Sequence, residues 1–131
     1  AERRLRVNCD FPDDLAVVGN REMLTSIFRN LASNAVAYSS GRDIFIRLVA
    51  EDDEKYTISF ADNGIGVEEE HLPRLFERFY RVDKGRSRKM GGTGLGLSIV
   101  KNAVAMHGGT IEAHNRLSGG LEFIFTLKKN S

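Results

Sequence analysis

Cysteine and tryptophan are nearly absent from this 131-residue chain, which has one cysteine and no tryptophan. A single thiol, Cys9, cannot form an internal disulfide or a cysteine-based metal site. We therefore expect a reducing, cytoplasmic setting. No apolar run approaches the roughly 20 residues that a membrane-spanning helix needs, and no leader pattern begins the chain, so we expect no direct membrane contact.

A large excess of charge of one sign is also lacking. Nineteen Lys and Arg residues oppose 18 Asp and Glu residues, and the net charge is +1. The chain as a whole should not attract nucleic acid, and any cationic site must be local. The length and the 41% hydrophobic content predict one domain, residues 1–131. Because the chain begins at Ala1 and enters a strand pattern almost at once, we expect it to be a fragment of a longer protein.

The hydrophobic periodicity alternates between strand and helix patterns. It predicts an α+β fold: a two-layer sandwich with a mixed, mostly antiparallel sheet of about five strands, covered on one face by about three helices. The predicted strands are 5–9, a short one at 16–18, 44–48, 56–60, 111–114 and 121–127. The predicted helices run from an N-cap at Asn20 to about Ser39, from Glu69 to Phe76, and from Leu95 to Met106, where His107 marks the helix end; residues 80–92 read as a loop.

The first of two glycine signatures is Asp62-Asn63-Gly64-Ile65-Gly66. A carboxylate here could accept a hydrogen bond from an exocyclic amino group, which adenine has, whereas guanine presents a carbonyl at the equivalent place. Gly64 and Gly66 leave room for a flat ring. Asp-Asn-Gly is also a strong turn sequence, so a simple strand-exit turn is the alternative.

The second signature is Gly92-Thr93-Gly94-Leu95-Gly96-Leu97. It is not a dinucleotide fingerprint, because Ile99 stands where the third glycine is required and no suitable strand precedes it. The chain also lacks the Gly-Lys-Ser or Gly-Lys-Thr of a Walker loop. A glycine hinge leading into a helix start remains, and its free N–H groups can bind phosphate oxygens.

Polar and basic side chains complete a candidate nucleotide pocket. Asn30 and Asn34 lie four residues apart on one side of the first long helix, where they are either Mg²⁺ ligands or part of a solvated face. The segment between the glycine signatures is strongly basic. This cluster either neutralises phosphates, contacts an acidic partner or is solvated surface. Phe76, Phe79 and Tyr80 flank it as core or docking residues. Its members are Arg78, Arg81, Lys84, Arg86, Arg88 and Lys89.

Four ordered blocks resemble the ATP-binding catalytic domain of sensor histidine kinases. They lie at residues 30–39, 62–66, 76–81 and 91–97, and the resemblance extends over nearly the whole chain. Gyrase-type topoisomerases, heat-shock 90 chaperones and mismatch-repair ATPases share this superfamily and its Bergerat-type fold. The Phe-Glu-Arg-Phe-Tyr-Arg block at 76–81 is similar to the kinase branch.

The resemblance implies a role for each matching residue. Asn34 would be the Mg²⁺ ligand, Asn30 would lie beside the ATP phosphates and Tyr38 would line the phosphate end. Asp62 would hold the adenine amino group. Further nucleotide contacts are implied for the glycines of both signatures, for lid residues Phe76 and Phe79, for Arg78, Arg81 and Lys84, and for Thr93, Leu95 and Leu97. The family chemistry is transfer of the γ-phosphoryl group to a histidine of a dimerisation domain in a homodimeric parent, and then to a response regulator.

Two positions depart from the relatives. Many of them carry Lys or Arg where this chain has Ala37, so one phosphate contact is replaced or lost. The ATPase branches carry a water-activating Glu where this chain has Asn30, and an amide cannot take a proton from water. We therefore expect transfer rather than hydrolysis. We also expect no autophosphorylation, because no helix-borne histidine with an adjacent acidic residue occurs toward the N-terminus. A nucleotide-sensing or protein-docking module without catalysis is the alternative.

Overall fold

The computed structural model describes residues 6–10, 21–34, 43–78 and 96–128, with only the backbone for 6–10 and Arg21. The helices are α1, Arg21–Asn34, and α2, Gly96–Met106, and a 3-10 helix spans Glu69–Arg74. Strands form one five-stranded sheet in the order β1-β2-β3-β5-β4. β1 runs parallel to β2, and all other neighbours are antiparallel. The strands are β1 (Arg6–Asp10), β2 (Asp43–Glu51), β3 (Lys55–Asp62), β4 (Ile111–Asn115) and β5 (Leu121–Lys128).

One face of the sheet carries the hydrophobic core. Ile46 pairs with Phe60, and Phe60 pairs with Phe123, so alternate residues of β2, β3 and β5 point to the same side. Ile27 and Leu31 of α1 are fully buried in the cluster that these strands form. Val100, Ala103 and Val104 supply the face of α2 in the same cluster. The predicted α+β sandwich, with helices packed against a mostly antiparallel sheet, is confirmed.

The β2–β3 hairpin shows how local sequence fixes the register. Asp52 Oδ1 accepts hydrogen bonds from the N–H groups of Glu54 at 2.8 Å and Lys55 at 2.9 Å. This side chain holds the reversal together with a backbone bond from the Asp52 N–H to the Lys55 carbonyl oxygen at 3.0 Å, and such capping is the usual role of aspartate in turns. The predicted hairpin is confirmed, and it ends at Asp62, the last residue of β3.

The short helix predicted from Glu69 to Phe76 differs from the observed element, which is a 3-10 helix that stops at Arg74. Pro73 lies inside it and has no N–H to donate, so the segment does not continue as an α-helix. His107 does follow the last residue of α2, as predicted, and its ring Nδ1 lies 2.7 Å from the Ala103 carbonyl oxygen.

Several predictions fall outside the described residues. They concern the strand at 16–18, the N-cap at Asn20, the end of the first helix near Ser39 and the loop at 80–92. Within the described ranges, no helix is long and apolar enough to cross a membrane.

Candidate functional site

Asp62 is a buried carboxylate at the end of the central strand β3, with a relative exposure of 2%. Its Oδ1 accepts hydrogen bonds from the N–H of Gly64 at 2.8 Å and the N–H of Leu121 at 3.4 Å. Among the described residues, none donates a hydrogen bond to Oδ2. A buried carboxylate oxygen strongly favours a hydrogen-bonded partner. Asp62 therefore has the geometry expected of an acceptor for a ligand amino group.

The segment after Asp62 lies against the end of β4. Gly66 has a φ of +72°, which favours glycine. A Cβ at Gly66 would also lie 2.6 Å from Oδ1 of Asn115, at the end of β4. The sequence suggested that Gly66 leaves room for a ring, and the structure adds that the fold itself requires glycine here.

The side chain of Asn30 on α1 lies against the first residue of α2. Its Nδ2 donates hydrogen bonds to the carbonyl oxygen of Ser26 at 2.8 Å and to the Ser26 hydroxyl at 3.0 Å. A Cβ on Gly96, the first residue of α2, would lie 3.2 Å from Oδ1 of Asn30. The first amide of the predicted Mg²⁺ pair and the last glycine of the second signature are therefore neighbours. Asn34, one turn later, is half-buried.

The first turn of α2 is the helix start that the sequence predicted after the second glycine signature. The N–H groups at the start of an 11-residue helix have no intrahelical acceptors, and they carry partial positive charge. Leu97 packs against the core, which fixes this end of the helix on the sheet. Anion binding is the chemistry that such a helix start supports best.

The aromatic and basic candidates are only partly described. Phe76 is half-buried, and its ring meets Phe123 edge to face with centroids 6.0 Å apart, so it packs on the core. Arg78 is exposed. The remaining candidates lie outside the described residues: Tyr38, Phe79, Tyr80, Arg81, Lys84, Arg86, Arg88, Lys89, Gly92, Thr93, Gly94 and Leu95.

Sequence reasoning missed two residues of the β4–β5 hairpin that contact the segment 62–67. Asn115 forms two hydrogen bonds with the backbone of Val67, and Arg116 donates one to the Asp62 carbonyl oxygen. Both lie about 50 residues downstream of their partners, and they belong to no recognisable motif. Only the pairing of β3 with β5 brings them to the site.

Comparisons with known proteins agree on one family. The family model described as histidine kinase-, DNA gyrase B- and HSP90-like ATPase matches residues 19–131. The sensor histidine kinase WalK of Bacillus subtilis is 44% identical over 121 residues, which cover 90% of this chain and 20% of WalK. The chain thus spans a fifth of the length of that curated relative.

Solved structures extend the agreement to three dimensions. The catalytic domain of histidine kinase ThkA superimposes with a TM-score of 0.78 at 28% identity, covering 98% of this chain and 82% of that one. The ATP binding domain of PrrB from Mycobacterium tuberculosis gives a TM-score of 0.75 at 27% identity, covering 97% and 82%. These matches show that the chain belongs to the histidine kinase-, DNA gyrase B- and HSP90-like ATPase family, as a sensor histidine kinase ATPase domain.

Proposed function

We propose that this domain binds Mg-ATP and presents the γ-phosphate for transfer to a histidine on a separate dimerisation domain, in two-component signal transduction. The observation that carries the proposal is the state of Asp62, which is buried with Oδ1 held by backbone N–H groups. A carboxylate held in this way offers its second oxygen to a ligand in a defined direction.

Asp62 would select the base. Its Oδ2 would accept a hydrogen bond from the adenine amino group, a charge-assisted bond that contributes about 1.5–3 kcal/mol. Guanine would place a carbonyl oxygen against the carboxylate, so both acceptors would lack a donor. Gly64 and Gly66 would keep the floor of the base pocket free of side chains.

The phosphate end would lie at Asn30, Asn34 and the start of α2. The donor set fits Mg²⁺, because amide oxygens are the hard ligands that this ion accepts beside phosphate oxygens. Asn30 uses its Nδ2 on Ser26, so its Oδ1 is the atom that faces α2. When bound, Mg²⁺ would neutralise charge on the phosphates. Asn34 would be its direct ligand, and Tyr38 and the glycines 92, 94 and 96 would enclose the phosphates with the basic residues of the lid.

Transfer rather than hydrolysis is the chemistry that these residues support. Phosphoryl transfer depends mainly on positioning and electrostatic stabilisation, which helix N–H groups and cationic side chains supply. An amide at position 30 cannot deprotonate an attacking water. The acceptor histidine would belong to the rest of a homodimeric parent, of which this domain would be a cytoplasmic part. A separate response regulator would receive the phosphoryl group downstream.

Phosphoryl transfer can be measured by mixing the chain with γ-labelled ATP, Mg²⁺ and the dimerisation domain of the parent. We expect label on a histidine of that domain, and none on the chain incubated alone. Asn34→Ala should abolish the transfer, whereas Asn102→Ala, an exposed asparagine on α2, should not. Tight ATP binding without any transfer would favour the nucleotide-sensing alternative instead.

A further inference from the structure

The β4–β5 hairpin holds both ends of the segment 62–67. Arg116 Nη1 donates a hydrogen bond to the carbonyl oxygen of Asp62 at 2.8 Å. Asn115, its neighbour in the chain, contacts Val67 at the other end. We infer that Asn115 and Arg116 are positioning residues for nucleotide recognition, which fix the segment 62–67 so that Asp62 distinguishes adenine from guanine. This inference rests on the proposed function of Asp62.

Arg116 connects three parts of the sheet. Besides its bond to Asp62, Nη1 lies 3.4 Å from the carbonyl oxygen of Gly119 in its own turn. The guanidinium carbon lies 5.2 Å from the centroid of the Phe45 ring, a cation–π contact with β2. The planar guanidinium presents several donors in fixed directions, and a lysine has no equivalent. Arg116 thus ties the end of β3 to the hairpin turn and to the neighbouring strand.

Asn115 binds the far end of the segment 62–67 through both the oxygen and the nitrogen of its side-chain amide. Its Oδ1 accepts the N–H of Val67 at 3.0 Å, and its Nδ2 donates to the carbonyl oxygen of Val67 at 2.6 Å. The two bonds have the donor and acceptor pattern of a backbone pair between neighbouring strands, and they link β4 to the segment 62–67. Gly66 allows the approach, since any Cβ there would collide with Oδ1 of Asn115. A side chain at 66 would therefore displace the Asn115 amide from Val67.

The turn that carries these residues lies directly against Asp62. A Cβ on Gly120 would be 2.0 Å from the Asp62 carbonyl oxygen and 3.0 Å from Oδ1. The next residue, Leu121, donates its N–H to Oδ1 at 3.4 Å. Asp62 is therefore held at its carbonyl by Arg116 and at its carboxylate by the strand that follows the turn. A shift of the hairpin would move the carboxylate with it.

Base selection depends on such positioning. An acceptor discriminates between an amino group and a carbonyl only when it cannot rotate away or admit water. If the hairpin contacts loosen, Asp62 still binds a base but tolerates the wrong one. The inference thus predicts a loss of selectivity for adenine that exceeds the loss of phosphate affinity.

The test uses Arg116→Met and Asn115→Asp in the 131-residue chain, with calorimetric titration of ATP, GTP and inorganic triphosphate. Each variant should lower the ratio of ATP to GTP affinity about tenfold, the effect of one lost hydrogen bond, and leave triphosphate binding unchanged. Arg47→Met and Asn102→Asp change exposed residues of the same types and should behave like the wild type. Arg116→Gln, which keeps a side-chain donor, takes the place of Arg116→Met if that variant does not fold, and should lower the ratio in the same direction.

A double-mutant cycle between Arg116 and Asp62 tests whether Arg116 changes base selectivity through Asp62. If Arg116 acts through Asp62, adding Arg116→Met to Asp62→Asn should not lower the ATP-to-GTP ratio further. Suppose that folded Arg116→Met and Asn115→Asp keep the wild-type ratio of ATP to GTP affinity, while Asp62→Asn loses selectivity. This result would overturn the positioning role and leave the proposed function intact. Equal binding of ATP and GTP by the unmodified chain would contradict the role proposed for Asp62, and the inference would fall with it.

Discussion

Asn30 and Gly96 meet where α1 and α2 come together, and a Cβ on Gly96 would lie 3.2 Å from the Asn30 amide oxygen. This distance is shorter than most real Cβ contacts, so any larger residue at 96 would press on the amide. Since Nδ2 of Asn30 is committed to Ser26, the amide cannot turn without losing hydrogen bonds. The absence of a side chain at 96 therefore helps to keep Oδ1 in place.

Gly96→Ala tests this contact. We expect no loss of folding stability, because alanine has a higher helix propensity than glycine by up to about 1 kcal/mol. The Mg²⁺-dependent part of ATP affinity should fall several-fold, because the Asn30 amide is displaced. Calorimetry with and without Mg²⁺, together with urea unfolding, measures both quantities. Ser26→Ala removes one of the two acceptors for Asn30 Nδ2 and should change Mg-ATP affinity less than Gly96→Ala does. If Gly96→Ala and the wild type bind Mg-ATP equally well, the Asn30–Gly96 contact does not position the amide for nucleotide binding.

Asp62→Asn should reduce ATP affinity by about 10- to 100-fold, because a charge-assisted hydrogen bond worth about 1.5–3 kcal/mol is replaced by two opposed donors. GTP should be affected less, since an amide can donate to a carbonyl. Titration of both nucleotides gives the two dissociation constants. Asp53→Asn is the matched control, because Asp53 is an exposed residue of the β2–β3 turn. Unchanged ATP binding by Asp62→Asn would rule out the adenine site.

Gly119→Ala and Gly120→Ala, in the same turn, distinguish the cost of backbone strain from the cost of a steric clash with Asp62. Both glycines have positive φ, +106° and +98°, so each substitution costs of order 1–3 kcal/mol. Only at Gly120 would the new Cβ also collide with the Asp62 carbonyl, at 2.0 Å, whereas at Gly119 the nearest atom is 3.8 Å away. Gly120→Ala should therefore be much the less stable variant in urea unfolding. Equal stability of the two would show that the hairpin does not lie this close to Asp62.

Phe76→Ala should lower the free energy of unfolding by roughly 2 kcal/mol, below the usual cost of a fully buried phenylalanine because the side chain is half-buried. Phe76→Leu should recover part of this loss. A double-mutant cycle with Phe123→Leu should give a coupling energy of about 0.5–1.5 kcal/mol, because the two rings meet edge to face. A coupling energy of zero would mean that the rings do not pack together in solution.

Hydrophobic periodicity predicted a strand or helix correctly where hydrogen bonds between residues close in sequence fix that element. Alternation in residues 44–60 predicted the β2–β3 hairpin, and Asp52 closes its turn through bonds only two and three residues away. The 3-10 helix is a case in which a local signal, Pro73, outweighed the helical pattern around it. Asn115 and Arg116 could not be predicted, because their partners are 48 and 54 residues distant.

The sequence by itself determined the strand and helix pattern, the buried faces and the residue types of a nucleotide pocket, because periodicity and residue chemistry are local properties. Only the tertiary structure decided that Leu121 also donates to Oδ1 of Asp62, that Asn30 faces the start of α2 and that Asn115 lies against position 66. Each of these depends on contact between chain segments far apart in sequence, such as Leu121 with Asp62 across 59 residues. Only the pairing of β5 with β3 and the packing of α2 on α1 create those contacts.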